Sequence, residues 1–171
     1  MYAELLVLRL IHILSAIAWV GSGIFTSFFL VPAISASPGV LMQVMAGLRR
    51  RRFFVILPIV GTLTILSGLR LLWIDSAGFA GSYFDSATGK AFSWGGLAAI
   101  IAYIIAYGVA LPINLRLAKI VTSMTKSAAG AEREGLTADM NRLSRRAAGA
   151  TLAAVLFGLL AASAMAVARY L

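Results

Sequence analysis

The 171-residue chain has no cysteine, one histidine and only 6 acidic side chains, and residues of either charge make up 12% of it. Without cysteine there is no disulfide framework and no thiolate metal site. With one histidine, no two-histidine site forms within one chain. The shortage of charge, set beside 61% hydrophobic residues and a mean hydropathy of +0.94, excludes disorder and a water-soluble globule, in which about a quarter of residues are charged. Acyl and phosphoryl transfer have no basis, because no carboxylate pair lies within the apolar stretches and no glycine-rich phosphate loop follows a strand. Enzymatic chemistry is therefore not expected.

What the chain does contain is apolar length. Stretches near residues 5–31, 53–74, 94–115 and 147–168 are each long enough, at 1.5 Å per residue, to cross a hydrocarbon core of roughly 30 Å. Lipid offers backbone groups no partners and no ten-residue alternation suggests a barrel, so these segments are expected to be helices. The expectation is an all-α, integral membrane four-helix bundle forming one domain over residues 1–171. The first stretch is not read as a signal peptide, although Ala33, Ile34, Ser35, Ala36 and Ser37 follow it. Its leading side chains are Glu4 and a single Arg9, and its apolar run is too long.

Net charge is +9, from 15 basic and 6 acidic side chains. So little polar surface excludes a nucleic-acid partner and leaves membrane lipids as the anionic surface. The basic residues collect in two links: Arg49, Arg50, Arg51 and Arg52 in one, and Arg116, Lys119, Lys126, Arg133, Arg142, Arg145 and Arg146 in the other. Those links are expected on the cytoplasmic side, with both termini outside together with Trp73, Tyr83, Phe84 and Trp94. The four-arginine run reads as a topology anchor, and it can also attract anionic head groups at about 1 kcal/mol per residue. Ser123 to Arg146 reads as a solvated helix extension with a turn, or else as a docking hairpin broken at Ala129, Gly130 and Gly135.

Helices in lipid associate through small residues that let backbones approach. Ala150, Ala154, Gly158, Ala162 and Ala166 repeat every fourth position, as do Ala98, Ala102, Ala106 and Ala110 running on to Asn114, and Ala18, Ser22 and Thr26. Tight packing is expected along these stripes, within the bundle or against another subunit. Pro58 and Pro112 are expected as tolerated kinks whose freed carbonyls are covered by hydroxyls or neighbouring helices.

Ionisable groups inside a span are costly and read as functional candidates. Arg9 and His12 on the first stretch and Arg70 on the second fall in the same outer third, with Arg169 close by and few carboxylates, Glu4 and Asp75, to balance them. An anionic ligand would relieve that excess, and the propionates of a b-type haem ligated by His12 would do so. His12, Ser15, Trp19, Ser22 or Gly23, and Thr26 share one helix face, expected to be interior, and Gly21 and Gly23 leave room for a flat ring. A sixth ligand would be Met165, Tyr103 or His12 of a second copy. The alternative needs no cofactor: a histidine bonded across helices, with Arg9 and Arg70 snorkelling to head groups. Copper fits poorly, since the six methionines are scattered.

The run Leu10-Ile11-His12-Ile13-Leu14-Ser15-Ala16-Ile17-Ala18-Trp19-Val20-Gly21, with His followed seven residues later by Trp and then by Gly, resembles the first helix of the CopD-like membrane superfamily. That group holds copper-resistance D domains, HemJ-type protoporphyrinogen oxidases and small four-helix proteins, and the small members are the nearest likeness. The resemblance implies a multi-pass protein of the bacterial inner (plasma) membrane, with b-type haem on His12 serving electron transfer or haem handling. The second histidine and the intramembrane lysine of the HemJ-type oxidases have no counterpart, since Phe28, Phe29, Leu30 and Val31 and then Tyr103 and Tyr107 stand in the corresponding helices. Set against this is an expectation of a different kind: a non-catalytic accessory subunit that packs through its Ala and Gly stripes into a homodimer or larger membrane complex.

Overall fold

The computed structural model describes residues 2–35, 38–124 and 131–171. All elements among the described residues are helical. Four helical stretches are long and apolar enough to cross a membrane: Tyr2–Ile34, Phe53–Asp75, Ala87–Ile120 and Glu134–Ala168, hereafter spans one to four. The chain is thus an all-α, multi-pass membrane protein. Span one packs along span two and span three along span four, while contacts between two and three and between one and four close the ring.

The helices outrun the apolar stretches that reveal them, because hydropathy reports only the part in lipid. Span three begins at Ala87, seven positions before the apolar stretch, since the Ser86 hydroxyl accepts the Gly89 N–H at 2.9 Å and caps the helix. The fourth helix runs unbroken over Ala131–Ala168, 38 residues or about 57 Å, straight through Gly135. The part before Ala147 is therefore a helical extension and Gly135 breaks nothing. An interior glycine costs about 1 kcal/mol, which the surrounding helix formers offset. Ala36 and Ser37, and Lys126, Ala129 and Gly130, lie outside the described residues.

Two wide π-helical turns interrupt the bundle, Thr26–Leu30 in span one and Ile105–Ala110 in span three. Each is followed after one residue by a proline, Pro32 and Pro112. A proline cannot donate to the carbonyl four residues back and its ring presses on it, so the preceding turn opens. In span two the carbonyls beside Pro58 are engaged by hydroxyls: Thr62 donates to Pro58 O at 2.8 Å and Tyr107, from span three, to Leu57 O at 2.9 Å.

The small-residue stripes pack only in part. On span four, Ala154 and Gly158 are buried, yet Ala162 and Ala166 are exposed, and the buried alanines fall at 147, 154, 161 and 168. Four residues overshoot one turn by about 40°, so a strict four-residue stripe winds off its face within a few steps, whereas a seven-residue spacing drifts only about 20°. On span three the stripe holds longer, with Ala98, Ala102 and Ala110 buried, because the π turn takes back the overshoot. Ala18 is exposed. Gly158 faces span one, where an added Cβ would lie 3.4 Å from Val20 Cγ2, so the centre of this stripe serves the bundle's own packing.

Outside the spans, partial burial and, secondarily, the Asp75 carboxylate raise the Tyr83 phenol above its ordinary range.

Candidate functional site

Two polar regions follow one another along the bundle, about two helical turns apart on span one. Toward the termini, His12 of span one meets span two at a glycine. A Cβ on Gly68 would stand 2.8 Å from His12 Cε1, so only glycine admits the ring there. The Nδ1–H donates to Thr64 O at 2.9 Å and approaches Ser67 Oγ at 3.3 Å. A carbonyl can only accept, which places a proton on Nδ1, and in a neutral ring leaves the lone pair on Nε2. Nε2 has no hydrogen-bond partner among the described residues. One turn on, Thr64 donates to Ser15 Oγ at 2.9 Å, and Ser15 in turn to Ile11 O at 2.6 Å. Ser15, Thr64 and Ser67 are buried, His12 half-buried.

The cationic excess expected here is partly cancelled within the chain. Arg70 donates to Glu4 Oε1 from both Nε, at 3.1 Å, and Nη2, at 2.6 Å, and its guanidinium lies 4.4 Å from the Trp73 ring centroid. Arg169 lies over Tyr170, and Arg9 is exposed with no ion pair among the described residues. The other expected members point elsewhere. Met165 packs on span three at Gly95, with its Cγ 3.1 Å from where a Cβ would be. Tyr103 is hydrogen-bonded to Thr62 at 2.7 Å. Gly21 faces outward, and the space at Gly23 is taken by Val155.

Nearer the arginine run, all four spans line a half-open chamber of about 150 Å³. Span one gives it Trp19, Ser22, Gly23 and Thr26, and span two gives Phe54, Leu57 and Pro58. Ala102, Ala106, Tyr107 and Asn114 come from span three, with Thr151, Ala154 and Gly158 from span four. Trp19 is the hinge of this arrangement, 7% exposed, edge-on to Tyr103 at 5.9 Å and stacked near-parallel on Tyr107 at 6.2 Å. Both rings close on span two at Gly61, where a Cβ would lie 3.1 Å from Tyr107 Cε2 and 3.2 Å from Trp19 Cε2. Among the described residues no acidic or basic side chain lines the chamber, while Ser22, Thr26, Asn114 and Thr151 bring hydrogen-bonding groups to it. Each span also carries an irregularity or a small residue at this level: the π turns of one and three, Pro58 of two and Gly158 of four.

The face of span one read from His12 to Thr26 does turn inward, but it serves two places. His12 belongs to the lock against span two and does not line the chamber, which begins at Trp19. The ring is anchored through Nδ1, and Nε2 is left unengaged among the described residues, the arrangement that a metal-bound imidazole has. Met165 and Tyr103, the other ligand candidates, make their contacts at Gly95 and Thr62. Tyr107, Thr62, Gly61 and Thr64 went unrecognised as parts of these sites. Among them only the closely spaced hydroxyls of span two gave a signal.

Comparison with family models, with curated proteins and with solved structures returns no match.

Proposed function

We propose that the protein binds a small, neutral ring compound of the quinone class in the chamber, reaching it from the lipid phase. The carrying observation is the chamber's lining: near-parallel Trp19 and Tyr107 rings, hydroxyl and amide groups and, among the described residues, no acidic or basic side chain. An ion would lose its hydration there without a counter-charge, whereas a planar neutral molecule stacks on the rings and takes hydrogen bonds at its edge. On the expected orientation, with the basic links inside, the chamber would open in the cytoplasmic half of the bundle. Purified protein is expected to bind menadione saturably, and Ala106→Phe, which fills the chamber from the π turn of span three, to weaken that binding by about tenfold or more. Equal binding by the two proteins, or none that saturates, would contradict the proposal.

A second reading concerns the His12 cluster and is favoured by its anchored Nδ1. On the CopD-like resemblance, His12 Nε2 would hold a b-type haem between two copies of the chain, each giving one ligand. Such a haem supplies one-electron transfer when bound. His12 would ligate it, with Thr64 O fixing the ring's tautomer. Addition of haem to purified protein is expected to give a Soret band and a reduced α-band that His12→Ala removes. A spectrum no different from free haem would end this reading.

A further inference from the structure

The helix Pro38–Arg50 joins spans one and two, and its chain turns into span two through Arg52, whose φ of 57° is left-handed. Arg52 N bonds back to Arg49 O at 3.0 Å, and Arg52 O accepts Val55 N and Ile56 N, both at 2.9 Å. That turn folds the joining helix against span two and leaves an apolar groove of about 440 Å³ between them. Val44, Gly47 and Leu48 form one wall, Phe53 and Ile56 the other, and Arg50 and Arg51 stand at the rim. A Cβ on Gly47 would meet nothing within 4 Å, so the groove is open there.

The charged side chains that line the groove among the described residues, Arg50 and Arg51, are both basic. No aspartate or glutamate occurs between Glu4 and Asp75, and Arg49 to Arg52 are exposed without an ion pair among the described residues. An apolar trough under a rim of guanidinium groups, at the first turn of a membrane span, matches a molecule with an acyl chain below and a phosphate above. We infer that this groove is a binding site for one anionic phospholipid, its phosphate held by Arg50 and Arg51 and one acyl chain laid along Gly47 and Phe53. Guanidinium groups suit phosphate through paired N–H donors. A basic surface alone would attract anionic lipid without a groove, so charge and shape have to be tested separately.

The test is native mass spectrometry of the purified chain in detergent with phosphatidylglycerol or phosphatidylcholine of matched acyl chains. The wild-type chain is expected to retain one phosphatidylglycerol under activation that strips phosphatidylcholine. Arg50→Gln/Arg51→Gln should lower that retention by roughly thirtyfold. Gly47→Leu, which keeps every charge and fills open space, should lower it comparably. Both substitutions lie at accessible positions, and unchanged thermal midpoints are expected. Equal retention of the two lipids would overturn the inference. So would a preference that survives Gly47→Leu, which means surface charge alone, or inorganic phosphate displacing the lipid, which means an anion site without the groove.

Discussion

Gly68→Leu is expected to lower the stability of the bundle by about 2–4 kcal/mol, read as a fall in the midpoint of detergent or thermal unfolding. A side chain at this position starts 2.8 Å from His12 Cε1 and 3.1 Å from Nδ1, so the ring has to leave. Overpacking of this kind costs about 1–3 kcal/mol. Loss of the 2.9 Å bond from Nδ1 to Thr64 O adds about 0.6–1.7 kcal/mol, the range for interhelical hydrogen bonds in lipid. Spans one and two also carry the Ser15 to Thr64 bond beside it, which a displaced ring would strain. Gly21→Leu, with nothing within 4 Å, is the control and should be near neutral. In a His12→Ala background the cost of Gly68→Ala should largely vanish, since the clash and the bond disappear together. A Gly68→Leu protein as stable as Gly21→Leu would show that the spans do not meet through this histidine.

Trp19→Ala should act two turns further along the same helix. In water-soluble cores this truncation costs about 3–5 kcal/mol. In a bilayer the separated helices already lie in lipid, so most of the transfer gain is absent and the loss comes from broken contacts. Those contacts are large. The indole meets Tyr103 and Tyr107 and closes on span two at Gly61, and each aromatic pair is worth about 0.5–1.5 kcal/mol. A loss of about 2–4 kcal/mol is expected, together with at least about a tenfold loss of menadione binding as the stacking wall disappears. Trp19→Phe should recover most of the stability and part of the binding. Should Trp19→Ala unfold like the wild type, the aromatic cluster would not be what joins spans one, two and three.

Much of the architecture was legible because lipid imposes strong rules. Four apolar stretches had to be helices, and the three- and four-residue steps from His12 to Thr26 had to define one face. The ends of the helices were not legible by hydropathy, since a single hydroxyl at Ser86 or the helix formers before Ala147 extend a helix without making it apolar. The stripes misled toward the termini because a repeat in sequence is not a repeat in angle, as exposed Ala162 and buried Ala161 show. Arg70 read as a cation awaiting a ligand because pairing with Glu4, 66 positions away, depends on the relative height of two helices, which no local pattern records. The chamber was hidden for a related reason. Its place follows from two turns widened ahead of Pro32 and Pro112, and the prolines were visible while their effect on the next turn's packing was not.

The most direct test of the chamber as a binding site uses the chain's own tryptophans. Of the three, Trp73 and Trp94 are exposed, at 44% and 69%, and Trp19 alone lines the chamber. In a Trp73→Phe/Trp94→Phe protein held in lipid nanodiscs, fluorescence comes from Trp19 only, and menadione is the titrant. Quenching that saturates and is lost when Ala106→Phe is added is the expected result. Quenching that rises in proportion to the menadione dissolved in the lipid, with or without Ala106→Phe, would mean that the quencher meets Trp19 from the bilayer and that the chamber holds nothing.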